Sequence, residues 1–231
     1  MATQSLTSGH HGASIVIHPL LVRIAHWVNA VAMFIMIASG WRIWNSDPIF
    51  DYYFPVAVTL GGDPAASQDL HNELGLASAL QWHFAGMWLL FINGSIYFTY
   101  GLLSGHFRHA FFPLSPHTIF RDLMAALRFS LPHYPGVYNA VQKALYLGVL
   151  AAAIVMVLSG LAIWKPGHLH ELASLFGGFD TARLVHFLGM AAIVLFLLVH
   201  IALVIIVPKT LPSMITGRAG RKQVPHPEGL S

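Results

Sequence analysis

Four stretches of this chain, about residues 21–44, 79–103, 139–164 and 182–207, are apolar over lengths that suit the hydrocarbon core of a bilayer. With 56% hydrophobic and only 9% charged residues, the 231-residue chain is predicted to be an all-α integral membrane protein, a bundle of four transmembrane helices. Residues 1–20 read as a tail, 21–207 as the membrane domain and 208–231 as a second tail. Residues 1–18 show no basic n-region and no small-residue cleavage site, so the first span is expected to be a retained anchor.

Loop charge predicts the orientation. Arg23, Arg108, Arg121, Arg128, Lys143, Lys209, Arg218, Arg221 and Lys222 fall on one side of four spans, and only Arg42, Lys165 and Arg183 on the other. The basic side is expected to face the cytoplasm, with both termini there, in a bacterial inner membrane. The opposite face carries Asp47, Asp51, Asp63, Asp69, Glu73, Glu171 and Asp180. A net charge of +3 spread around apolar spans argues for membrane orientation and against nucleic acid as a partner.

Histidines inside the spans carry the chemistry. His186 and His200 are 14 residues apart, and 14 helical steps advance about 21 Å while returning to within roughly 40° of the starting face. His26 and His83 lie a few residues inside the first and second spans, where a polar ring is costly unless something binds it. The first span starts on the cytoplasmic side and the second on the other. His83 therefore shares the outer level with His186, and His26 the inner level with His200. A lone intramembrane His can simply hydrogen-bond a neighbouring helix, but four at two matched depths point to two haems, each iron taking one pair as its fifth and sixth ligands. The absence of cysteine excludes thiolate-held iron-sulfur clusters, covalently attached c-type haem and thiolate zinc sites. What remains is haem b, held by nitrogen.

An internal repeat points the same way. His83-Phe84-Ala85-Gly86-Met87 matches His186-Phe187-Leu188-Gly189-Met190, while Ser39-Gly40-Trp41-Arg42-Ile43-Trp44 and Ser159-Gly160-Leu161-Ala162-Ile163-Trp164 end the first and third spans. Two copies of one helical hairpin about an axis along the membrane normal would set His83 opposite His186. Gly40 lies 14 residues after His26, on the same stripe at the outer level, where a macrocycle must pass close to the first span; Gly94 and Gly101 fall near the face of His83. Close helix packing is the competing role for these glycines. Arg23, Arg42 and Arg183, basic and at the membrane edge, are candidates for haem propionates, with interface snorkelling as the alternative.

Arg23-Ile24-Ala25-His26-Trp27, His83, Tyr138-Asn139-Ala140-Val141-Gln142-Lys143, and His186 with His200 resemble the dihaem cytochrome b subunits of formate dehydrogenase-N, and more loosely those of nickel-iron hydrogenases and thiosulfate reductases. The resemblance, to bacterial cytochrome b561-like proteins, covers nearly all of residues 22–207. It implies the same histidine pairing and a quinone site at Asn139. One departure is Val141, where the formate dehydrogenase subunits have Gly. Asn139, Gln142 and Lys143 at the cytoplasmic edge would supply donors to quinone carbonyls, and a plain helix cap is the competing role for Asn139.

The loop over residues 45–78, with Phe50, Tyr52, Tyr53 and Phe54, reads either as a platform for a partner or as a self-packed cap. His106, His109, His117 and His133 fall in the cytoplasmic loop, His10 and His11 in the tail, and His168-x-His170 in the last loop, where H-x-H alone is a weak metal signal. The expected function is that of a membrane-anchoring dihaem cytochrome b, an electron-transfer subunit relaying electrons between a periplasmic-side metalloenzyme or iron-sulfur subunit and quinone in a respiratory chain. The alternatives are a self-standing cytochrome b561-like quinone oxidoreductase acting on a small reductant such as superoxide, and a non-redox transporter relaying protons through its histidines.

Overall fold

The computed structural model describes residues 15–16, 18–62, 73–105, 107, 113–128, 130, 139–208 and 211–219. Asp63 and Asp69 of the long loop, His106, His109, His133, Arg108 and Tyr138, His10 and His11, Lys209, Arg221 and Lys222 lie outside them.

The four apolar runs form four long helices: α1 (Leu20–Ser46), α2 (Glu73–Leu103), α4 (Ala140–Trp164) and α6 (Phe179–Ile206), each long and apolar enough to cross a membrane. Shorter helices lie between and after them: α3 (Pro116–Leu127), α5 (His170–Leu175) and α7 (Leu211–Thr216). A two-residue antiparallel pairing joins β1 (Ile15–Val16) to β2 (Arg218–Ala219), bringing the two ends of the described chain together. Apart from that short pairing, the regular structure of the described residues is helical, a multi-pass membrane bundle. Leu188, Leu195, Leu198, Ile205 and Ile206 on α6 are all more than half exposed, a surface suited to lipid.

Helix ends follow local chemistry. Asn139 begins α4 with a capping box: Gln142 N–H donates to Asn139 Oδ1 at 2.9 Å and Asn139 N–H to Gln142 Oε1 at 3.1 Å. Asp122 of α3 accepts from Ala140 N–H at 3.0 Å, so the amphipathic α3 is latched to the start of α4. Gly177 and Gly178, both at positive φ, make the turn that starts α6.

Close backbone packing is concentrated within two hairpins, α1 with α2 and α4 with α6. The hairpins meet through side chains, and they meet symmetrically. Trp44, near the end of α1, stacks on Phe187 at 4.2 Å, while Trp164, at the end of α4, packs on Phe84 at 5.1 Å. Each terminal Trp thus covers the Phe that follows the other hairpin's histidine. Met36 packs where Gly86 lacks a side chain and Met156 where Gly189 does.

Candidate functional site

The structure brings the four histidines together as two pairs. His83 of α2 faces His186 of α6 with ring centroids 6.4 Å apart, and His26 of α1 faces His200 of α6 at 6.1 Å, both at an interplanar angle of 64°. Two imidazoles bonded at about 2.0–2.1 Å to opposite sides of one metal ion, each through a ring nitrogen about 1.1 Å from the ring centre, have centroids roughly 6.3 Å apart. Both pairs therefore have the spacing of two axial ligands sharing one ion.

The His83–His186 pair is built by the repeat. Ser39 Oγ lies 3.0 Å from His83 Nδ1, and Ser159 Oγ 2.9 Å from His186 Nδ1. Both serines are fully buried. The glycine after each lies against the ring: a Cβ on Gly160 would crowd His186 Cε1 at 3.2 Å, while one on Gly40 would sit in ordinary contact with His83 Cε1 at 3.5 Å. Gly40 thus serves the histidine of its own hairpin. Gly94 faces open space and Gly101 lies under Phe107.

The second pair does not follow the repeat. Ser39 to Ser159 is an offset of 120 and His83 to His186 one of 103, so the positions equivalent to His26 and His200 are Tyr146 and Tyr97. Only one copy of that level carries imidazoles. Phe196 stacks on His200 at 6.0 Å and Trp27 meets His26 edge-on at 5.3 Å.

Of the three arginines singled out from the sequence, Arg42 is the one whose side chain has no partner among the described residues. It is 2% exposed, and its Nε and Nη1 are buried with no hydrogen-bond acceptor. Gly62, at φ 111°, presses on the guanidinium, where a Cβ would lie 3.2 Å from Nε. A buried guanidinium without a counter-charge is strongly unfavourable, and among the described residues none supplies one to Arg42. Arg183 is committed elsewhere: it forms an ion pair with Asp47 at 3.0 Å and hydrogen-bonds the Asp47 carbonyl. Arg23 donates to the Ile215 carbonyl, although its Nε is also buried without an acceptor.

Residues 47–62 lie over the Trp44 end and are clasped to α1. Asn45, fully buried, donates to the Phe54 carbonyl at 2.8 Å and accepts from Phe54 N–H at 2.9 Å. Trp44 Nε1 donates to the Tyr52 carbonyl at 2.8 Å, and Leu60 N–H to the Ala38 carbonyl at 3.0 Å. Ile49, Phe50, Tyr52 and Val58 remain exposed on this cover, with Phe50 in contact with both Trp44 and Phe187.

At the other end, Asn139 Oδ1 and Gln142 Oε1 are engaged in the capping box, and Lys143 Nζ reaches the Pro113 carbonyl at 3.5 Å. An apolar groove of about 330 Å³ runs along α1 and α7, lined by Leu20, Arg23, Ile24, Trp27, Met214 and Ile215.

The sequence model of prokaryotic cytochrome b561 matches residues 17–217, from before α1 to beyond α7. The chain belongs to this family. It is a cytochrome b561-like membrane protein of electron transfer, in a family of haem b proteins. A protein of Azospira oryzae, provisionally described as protein-methionine-sulfoxide reductase subunit YedZ1, is 46% identical over 202 residues, 87% of this chain and 96% of its own length.

Sequence reasoning singled out the histidines, Arg42 and Gly40 but missed Ser39, Ser159 and Gly160 as parts of the site. The signal was present in the repeated Ser-Gly word, which was read only as a mark of duplication.

Proposed function

We propose that this chain is a dihaem cytochrome b in which His83 and His186 hold one haem, His26 and His200 hold the other, and electrons pass between a periplasmic-side redox subunit and quinone. The observation that carries this reading is the pair of centroid distances, 6.4 and 6.1 Å, at two levels of one bundle. Held by two imidazoles, haem b would supply a reversible one-electron carrier with no free site for oxygen. The chain's own residues do the rest. The hairpins leave their close packing to side chains at the midline, the histidines orient their rings across it, and Arg42 offers two buried N–H donors to a propionate. Unlike Arg42, Arg183 would have to leave Asp47 to make such a contact.

The asymmetry of basic residues supports placing the Trp44 end in the periplasm and both termini in the cytoplasm of a bacterial inner membrane. Because the natural chain has no cysteine, single cysteines at Asp51 and Arg128 test this with a membrane-impermeant maleimide. Asp51→Cys should label from outside and Arg128→Cys only after lysis; the reverse pattern overturns the orientation.

The description of the Azospira oryzae relative favours a catalytic subunit acting on oxidised methionine in protein over formate dehydrogenase, hydrogenase or thiosulfate reductase. We place its docking on Ile49, Phe50, Tyr52 and Val58, one side-chain layer from His186 through Phe187. The firm clasp of residues 47–62 onto α1 instead favours the self-standing oxidoreductase, whose cover needs no partner. The two readings separate when purified chain in quinol-loaded vesicles is mixed with the catalytic subunit. Quinol-dependent reduction of methionine sulfoxide that falls at least tenfold in Phe50→Asp supports docking, and activity independent of Phe50 refutes it.

The quinone site is proposed at the Arg23 end. Asn139 there keeps its Nδ2 donors outside the capping box, with Lys143 beside it. A second place is favoured by the apolar groove along Trp27, which touches His26. Asn139→Leu that retains both haems and loses quinol oxidation supports the first; loss in Trp27→Ala with Asn139→Leu unaffected supports the second.

A further inference from the structure

Ser39 and Ser159 do more than fill space between helices. Each is fully buried, and each already spends its single hydroxyl proton on its own helix. Ser39 Oγ donates to the Ile35 carbonyl at 2.6 Å and Ser159 Oγ to the Val155 carbonyl at 2.7 Å, the four-residue back-bond common for buried serine in helices. With that proton committed, the oxygen can only accept from the imidazole. The 3.0 Å and 2.9 Å contacts therefore read as His83 Nδ1–H and His186 Nδ1–H each donating to a serine. Nε2 is then the nitrogen with the free lone pair on both rings.

We propose that Ser39 and Ser159 are paired positioning residues that fix the Nδ1–H tautomer of His83 and His186, present Nε2 to the iron, and lower the reduction potential of that haem alone. The inference rests on the ligand assignment made above. A ligating imidazole that donates its other N–H to an acceptor becomes a stronger base, which stabilises the ferric over the ferrous ion. The duplicated Ser-Gly word delivers this to both ligands of one haem. Among the described residues neither His26 nor His200 has such a hydroxyl partner, so the two sites differ by construction. Gly160 belongs to the same device, since a Cβ there would crowd His186 at 3.2 Å.

The test is a spectroelectrochemical titration of the purified holoprotein, with haem content and low-temperature EPR measured on the same samples, for wild type and for Ser39→Ala, Ser159→Ala, Ser39→Thr and Ser159→Thr. The expected result is two haems per chain in the wild type, one midpoint moved to more positive potential in each Ala variant, a larger move in the double Ala variant, and the other midpoint unchanged. The Thr variants, which keep the hydroxyl, should titrate like the wild type, and the low-spin ferric EPR signal should shift for the same single haem. An Ala variant that loses one haem while its Thr counterpart keeps two also supports the hydroxyl's role. Two haems with both midpoints and both EPR signals unchanged in the double Ala variant overturn the inference and leave the ligand assignment standing. Equal loss of haem in Ala and Thr variants assigns the serines to packing and overturns it too. A wild type with fewer than two haems overturns the ligand assignment itself.

Discussion

Arg42 gives the account a quantitative handle because its surroundings are so one-sided. The side chain is 2% exposed, Nε and Nη1 have no acceptor, and Gly62 closes over the guanidinium. If a haem propionate is the missing counter-charge, Arg42→Met removes hydrogen bonds to a charged group, worth about 1.5–3 kcal/mol each. Even one such bond lost corresponds to a roughly ten- to hundredfold weaker hold on haem at 1.4 kcal/mol per decade. The same substitution should help the haem-free chain, which no longer buries an unpaired charge; breaking a buried pair from one side costs about 3–5 kcal/mol, and the apoprotein already bears a penalty of that kind. Haem transfer to excess apomyoglobin, followed in the Soret region, reads the first effect, and thermal unfolding of haem-free protein in detergent reads the second. Faster haem loss together with a more stable apoprotein is expected. Unchanged haem loss would refute the propionate argument, whatever happens to the apoprotein.

Three other outcomes follow from geometry already described. Gly160→Val should cost one haem and leave the second, because a Cβ at 3.2 Å from His186 Cε1 with two branches must push the ring off Ser159; haem content per chain checks it. Asn45→Ala should destabilise the cover by about 1–3 kcal/mol, since it removes the partners of the part-buried N–H and carbonyl of Phe54; limited proteolysis within residues 47–62 should become several-fold faster, with helix content unchanged. Asp122→Ala should release α3 from the start of α4 at a cost of about 1 kcal/mol, read as faster amide exchange at Ala140.

How much of this was legible in the sequence depends on the distance over which each feature is encoded. The four helices are written in hydropathy, and the bundle they form is the one expected. Their ends drift where hydropathy is mixed: α2 begins at Glu73 and not near Ala79, and α6 begins at Phe179, directly after the left-handed Gly177 and Gly178. The meeting of His83 with His186 and of His26 with His200 was readable because helical rise and alternating span direction fix depth. The cap at Asn139 was readable too, from Asn followed three residues later by Gln. Arg183 was not. It sits at a helix start beside acidic loops like any interfacial arginine, and its ion pair with Asp47 spans 136 residues. The two serines escaped for another reason: in an apolar span a serine reads as a small neutral residue, and only the position of the histidine on the neighbouring helix turns it into a partner.

The central claim is that four histidines on three helices hold two haems in two separable pairs. Pyridine haemochrome analysis of His83→Ala beside the wild type tests it most directly. Two haems per chain are expected in the wild type and one in the variant, with the remaining haem still low-spin. Two haems in His83→Ala, or a single haem in the wild type, would contradict it.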